Sequence, residues 1–145
     1  MKKPELLAPA GDLEKLKIAI DYGADAVYFG GQLFSLRSGA GNLTPDEMRE
    51  GVAYAHERGK KCYMTINVFA HNDDINMLAD YLGTISDISI DAFLVSDPGI
   101  FSVLKQVIPD AEVHLSTQAN TTNYMTAKFW YDLGVRRIVA AREMS

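Results

Sequence analysis

Six strand-length apolar runs recur along the chain: ELLAPA (5–10), AVYFGG (26–31), CYMTINVFA (62–70), AFLVSD (92–97), VHLSTQA (113–119) and RIVAA (137–141). Longer segments with helical patterning separate them. This alternation constrains the fold more than any other feature, because connections too long for hairpins force parallel pairing through right-handed crossovers. The helical segments carry their own punctuation. DLEKLKIAIDYG places Leu13, Leu16 and Ile20 on one face and stops at Gly23, a residue suited to the left-handed turn that ends a helix. TPDE opens the second helix, with Thr44 as cap, Pro45 in the first turn and Glu47 completing a capping box; that helix ends at Gly59. Asp97-Pro98-Gly99 opens a helix through Val107, and TNYMTAKFWYDLG forms the fifth helix, ending at Gly134.

A doubly wound open sheet and a barrel both satisfy this grammar. Strands of an open sheet are covered by helices on both faces and read as near-continuous apolar runs. Two strands here read otherwise. Tyr63, Thr65 and Asn67 share one face against Cys62, Met64, Ile66 and Val68, and His114, Ser116 and Gln118 share one against Val113, Leu115 and Thr117. A barrel accounts for this, with the apolar face on the helices and the polar face lining the interior. Eight (β/α) units usually take about 250 residues, and this chain has 145. The expected fold is therefore α/β, a parallel (β/α) TIM-barrel-like domain that is incomplete, with about six strands and five helices. Residues 1–145 are read as the truncated amino-terminal part of such a barrel domain. Its open sheet edges predict self-association; for a complete chain, the open sheet would regain ground.

Composition narrows the function. A net charge of −5 argues against a non-specific nucleic-acid or anionic-membrane surface, which works through clustered Lys and Arg. The single cysteine, Cys62, can build neither a disulfide framework nor a Cys-rich metal site, so no cofactor is expected within this chain. No run approaches the ~18–20 apolar residues of a membrane span, and the start is no signal peptide. The expectation is a cytoplasmic protein without a membrane partner.

Barrel enzymes work at the carboxyl ends of their strands. That rule collects Asn67 and His71 after the third strand, Asp97 after the fourth, Gln118 and Asn120 after the fifth, and Arg142 with Glu143 after the sixth. The loop GGQLFSLRSGAGN adds Arg37 among glycines, and Glu5 sits near the opposite end. Several have structural readings: Asp97 as a helix cap, His56 as a cation near a helix end, Cys62 as a small buried residue. A triad of Ser116, His114 and Asp97 fails on geometry, since alternate residues of a strand stand ~6.6 Å apart and a nucleophile needs its base within ~3 Å. Three scattered histidines give no metal-ligand spacing. GAGNLT places Thr44 where a dinucleotide fingerprint needs its third glycine. Glycines beside Arg37, with Arg142 across the mouth, instead suit a small anionic ligand.

PELLAPAGDLEKLKIAIDYGADAVYFGG, FSLRSGAGN, VSDPGI, HLSTQAN and VAAREMS, in this order, resemble the amino-terminal part of the U-32 collagenase-like peptidases. The resemblance runs over essentially the whole chain and implies a barrel-like domain continuing beyond Ser145. It implies a peptidase; the alternative it carries is hydroxylation of a wobble uridine in tRNA, of ribosomal RNA or of the ubiquinone ring, with prephenate as oxygen source. An iron–sulfur cluster would then belong to the full-length protein, held by cysteines downstream of this region. A fragment without them should be inactive on either account. The substrate is accordingly a peptide or an RNA, and a non-catalytic binding module is a third reading. The family motifs fall on Arg37, Asn42, Asp97, His114, Gln118, Asn120, Arg142 and Glu143. Physically, Arg37 and Arg142 would hold an anion while His114, Gln118 and Asn120 orient it. Asn67, Asp97 and Glu143 complete the substrate-binding set. His114, the one candidate proton shuttle titrating near neutrality, is the catalytic candidate.

Overall fold

The computed structural model describes residues 3–31, 42–68 and 70–144. Six strands, β1 (Leu7–Pro9), β2 (Ala26–Gly30), β3 (Lys61–Ile66), β4 (Ala92–Val95), β5 (Val113–Leu115) and β6 (Arg137–Ile138), alternate with five helices, α1 (Leu13–Asp21), α2 (Pro45–Glu57), α3 (Asn72–Ile85), α4 (Pro98–Val107) and α5 (Tyr124–Asp132). All strand pairs are parallel and the sheet order is the chain order, β1 to β6. A doubly wound sheet reverses its strand order at a switch point; this sheet never reverses, and it is the half-barrel that the sequence predicts.

The helices start and stop where the residues dictate. Thr44 and Glu47 form the reciprocal cap of α2, with Glu47 N–H donating to Thr44 Oγ1 at 3.2 Å and Thr44 N–H to Glu47 Oε2 at 2.8 Å. Asp12 accepts from Lys15 N–H at the start of α1, and Asn123 from Thr126 N–H at the start of α5. Gly23 and Gly134 follow α1 and α5 at φ +103° and +105°, a conformation that costs any residue with a Cβ.

The two sheet faces divide as the alternation requires. Val27, Phe29, Cys62, Met64, Ile66, Phe93, Val95, Val113 and Leu115 form a core with Leu16, Ile20, Met48, Val52, Leu78, Leu82, Ile100 and Leu104 of the helices. Burying each such Leu or Ile contributes about 1.5–3 kcal/mol. The inner face carries Tyr63 with Ala26 and Ala92. At its amino end Tyr63 Oη donates to Glu5 Oε2 at 2.9 Å and Arg137 Nη1 donates to Glu5 Oε1 at 2.7 Å. Thr65, one step further along, donates to the Phe29 carbonyl. The amino floor of the interior is therefore an internally satisfied polar cluster.

One expectation needs correction. The alternation in VHLSTQA suggests a strand as far as Ala119, yet β5 ends at Leu115 and Thr117–Ala119 forms a 3₁₀ turn. Ser116 N–H makes the last bond to β4, at the Val95 carbonyl, after which β4 turns away into α4. With the β4 backbone gone from that side, the fifth strand coils on itself, and Gln118 leaves the inner strand face.

Candidate functional site

That 3₁₀ turn builds one wall of a cavity at the carboxyl ends of β5 and β6. Asn120 closes the turn in the left-handed region, at φ 56° and ψ 45°, with its N–H donating to the Thr117 carbonyl. Asn is among the few non-glycine residues that tolerate this conformation. The next residue, Thr121, accepts from Ala141 N–H at 3.1 Å, and Val139 N–H donates to the Leu115 carbonyl at 2.9 Å. These two bonds fasten the loop after β5 to the segment after β6. Thr117, Gln118, Asn120, Arg142 and Glu143 consequently line a single cavity of about 510 Å³. Among the described residues Arg142 and Glu143 form no ion pair, so a guanidinium, a carboxylate, two carboxamides and a hydroxyl all remain available to a ligand.

The remaining expected site residues fall elsewhere. Asn67 follows β3, with its Oδ1 buried and without a hydrogen-bond partner. Asp97 caps α4, accepting from Ile100 N–H at 3.0 Å. Arg37 lies outside the described residues. His114 is 2% exposed, inside the barrel. Its Nε2 is 2.8 Å from Glu112 Oε1, toward the amino end of β5, and its ring meets Tyr63 edge-on with centroids 5.0 Å apart. Burial pulls the His114 imidazole below its ordinary 6.5, against the opposing pull of Glu112. It is not among the residues lining the cavity.

Sequence reasoning passes over Ser96 and Thr121, which are 5% and 2% exposed with hydroxyls lacking any partner. The signal for Ser96 lies in the alternation itself, since Ala92 and Leu94 continue to Ser96 on the inner face.

The residues present do not suit an iron–sulfur cluster. Cys62 is buried on the helix-facing side of β3, and burial pushes its thiol up to about 12. No group of three or more His, Cys, Asp or Glu side chains among the described residues could hold a metal ion. No described helix is long and apolar enough to cross a membrane.

Comparison with known proteins places this geometry. The chain is 51% identical over 144 residues to tRNA hydroxylation protein P1 of Bacillus subtilis strain 168, covering 99% of this chain and 34% of that protein. It is 40% identical over 141 residues to an uncharacterized protease of Methanocaldococcus jannaschii, covering 97% and 34%. It spans about a third of the length of these relatives. The solved U32 peptidase Mk0906 superposes with a TM-score of 0.68 at 19% identity, over 97% of this chain and 61% of that one, a likeness of fold. Peptidase family U32 matches residues 11–145, and the chain belongs to that family.

Proposed function

We propose that this chain is the amino-terminal part of a tRNA hydroxylation protein, and that the cavity between the β5 and β6 loops contacts an anionic group of the RNA or of a small co-substrate. The reading rests on the 51% identity, over nearly the whole chain, to a protein named for tRNA hydroxylation. The site chemistry agrees with it. Arg142 offers a bidentate donor suited to phosphate or carboxylate, and Gln118 and Asn120 supply neutral donors and acceptors beside it. Any redox centre would be held by residues of the longer protein.

The protease named among the relatives keeps peptide hydrolysis as the second reading. Hydrolysis by a nucleophile needs that nucleophile within ~3 Å of a base. His114 instead pairs with Glu112, and Cys62 is buried with its thiol pushed up to about 12.

Nucleoside mass spectrometry of total RNA from cells with and without the full-length gene separates the two. Loss of a hydroxylated nucleoside in the deletion, restored by the gene, supports RNA hydroxylation. An unchanged RNA profile overturns it and favours hydrolysis.

A further inference from the structure

Buried polar atoms nearly always find a partner, so each one left over asks for a reason. Among the described residues, Asn67 Oδ1, Ser96 Oγ and Thr121 Oγ1 are buried with none. Asn67 and Ser96 directly follow β3 and β4, and Thr121 follows the 3₁₀ turn after β5. The amino floor, built from equally polar side chains, is satisfied internally by Glu5, Tyr63 and Arg137. The difference between the two ends of one interior is what a binding mouth would leave.

Strand register makes the pattern sharper. Ile66 pairs with Val95 and Val95 with Leu115, so one residue further Asn67, Ser96 and Ser116 lie side by side on the inner face. Neighbouring strands stand about 4.8 Å apart, and the register carried one residue on makes the three side chains neighbours at the strand ends. None carries a charge. A buried strip of neutral donors and acceptors suits a ligand edge that is itself uncharged and hydrogen-bonding, because an ion held there would lose hydration with no opposite charge to replace it. Charge is dealt with next door, where Arg142 and Glu143 line the cavity of the β5 and β6 loops.

We propose that Asn67, Ser96 and Ser116 form a ledge that reads the hydrogen-bonding edge of a nucleobase swung out of its stack, while the Arg142 cavity takes a neighbouring anionic group. The proposal rests on the RNA hydroxylation reading and specifies what that site holds. Enzymes that act on a base extract it and recognise its edge by hydrogen bonds in a pocket. Asn67 Oδ1 accepts an N–H of the base, and the Ser96 hydroxyl donates to a carbonyl or ring nitrogen. Thr121, next to Asn120 in the loop after β5, stands outside the ledge.

The test uses the full-length protein with tRNA from cells lacking the gene, and follows three quantities for Ser96→Ala, Ser116→Ala and Asn67→Ala: initial rate of hydroxylation, tRNA affinity, and thermal midpoint. Removing an orphaned buried hydroxyl relieves an uncompensated desolvation cost, so Ser96→Ala folds with a midpoint at or above the parent's. Its rate falls about ten-fold, the size of one lost hydrogen bond. Its tRNA affinity stays within about two-fold, because phosphate contacts dominate affinity. Ser96→Thr, which keeps the hydroxyl, recovers part of the rate. Folded Ser96→Ala and Ser116→Ala proteins that hydroxylate like the parent overturn the ledge, with the hydroxyls then serving water alone. A parent protein that restores no hydroxylated nucleoside to deletion cells overturns the RNA reading itself, and the ledge with it. If Asn67→Ala does not fold, the two serine variants decide.

Discussion

Glu5 and Arg137, 132 residues apart along the chain, meet at 2.7 Å on the inner face and tie together the two edges of the sheet. Tyr63 joins them from the middle, its hydroxyl on the other Glu5 oxygen. Burial pushes the Glu5 carboxyl up, but the Arg137 and Tyr63 bonds, with help from Lys61, outweigh it and hold the group below its ordinary 4.5. Glu5 therefore contributes stability that is fully present above 4.5 and is lost as pH falls through the lower folded value. Since the Arg137 side chain is 43% exposed, solvent screens the pair, and Glu5→Gln should cost about 1 kcal/mol at neutral pH. Urea midpoints of the full-length protein and its variant should converge in acid.

His114 gives the opposite titration. Its folded imidazole binds a proton less readily than the ordinary 6.5, chiefly through burial. Below 6.5 the unfolded chain takes up a proton that the native protein still refuses, so stability declines as pH falls from 6.5 toward the folded value. His114→Gln should flatten that segment of the stability profile, as read by urea unfolding across the range. A profile unchanged by the substitution would refute the assignment.

Cys62 should resist alkylation in the native state, because it is buried with its thiol pushed up to about 12 by burial and by the Asp91 carboxylate. Mass-spectrometric mapping after iodoacetamide treatment should find its peptide unmodified until the protein is unfolded.

Asp97 distinguishes a cap from a ligand contact. Asp97→Ala removes the acceptor for Ile100 N–H and should cost about 1 kcal/mol. Asp97→Asn keeps a side-chain acceptor and should restore stability. If hydroxylation remains impaired in a stable Asp97→Asn protein, the carboxylate also serves the substrate.

Arg142 lines the cavity and forms no ion pair among the described residues. On the proposed RNA hydroxylation reading, Arg142→Ala in the full-length protein should leave the thermal midpoint unchanged while lowering the initial rate of tRNA hydroxylation about ten-fold or more, the scale of one charge-assisted hydrogen bond. Arg142→Lys should recover only part of it, since an ammonium lacks the planar fork.

Much of this was legible in the residues. The six apolar runs name the six strands, and Thr44 with Glu47 marks the start of α2 to the residue. The polar faces of β3 and β5 point to a barrel rather than an open sheet. Gln118, Asn120, Arg142 and Glu143, collected from two different strand ends, line one cavity. What escaped has a common cause. Where a strand stops depends on its neighbour, so VHLSTQA kept its alternation past the point where β4 had left. The Glu5–Arg137 pair depends on the curl of the whole sheet, which no local window contains. The orphaned hydroxyls of Ser96 and Thr121 are defined by what they lack, and a lack is invisible until the surroundings are built.

The match between sheet order and chain order has a consequence for synthesis. Each strand from β2 to β6 pairs with the one made just before it, so as the chain leaves the ribosome every new strand finds its partner already synthesised. The half-barrel can grow by accretion, one βα unit at a time, without holding a strand in reserve for a distant partner.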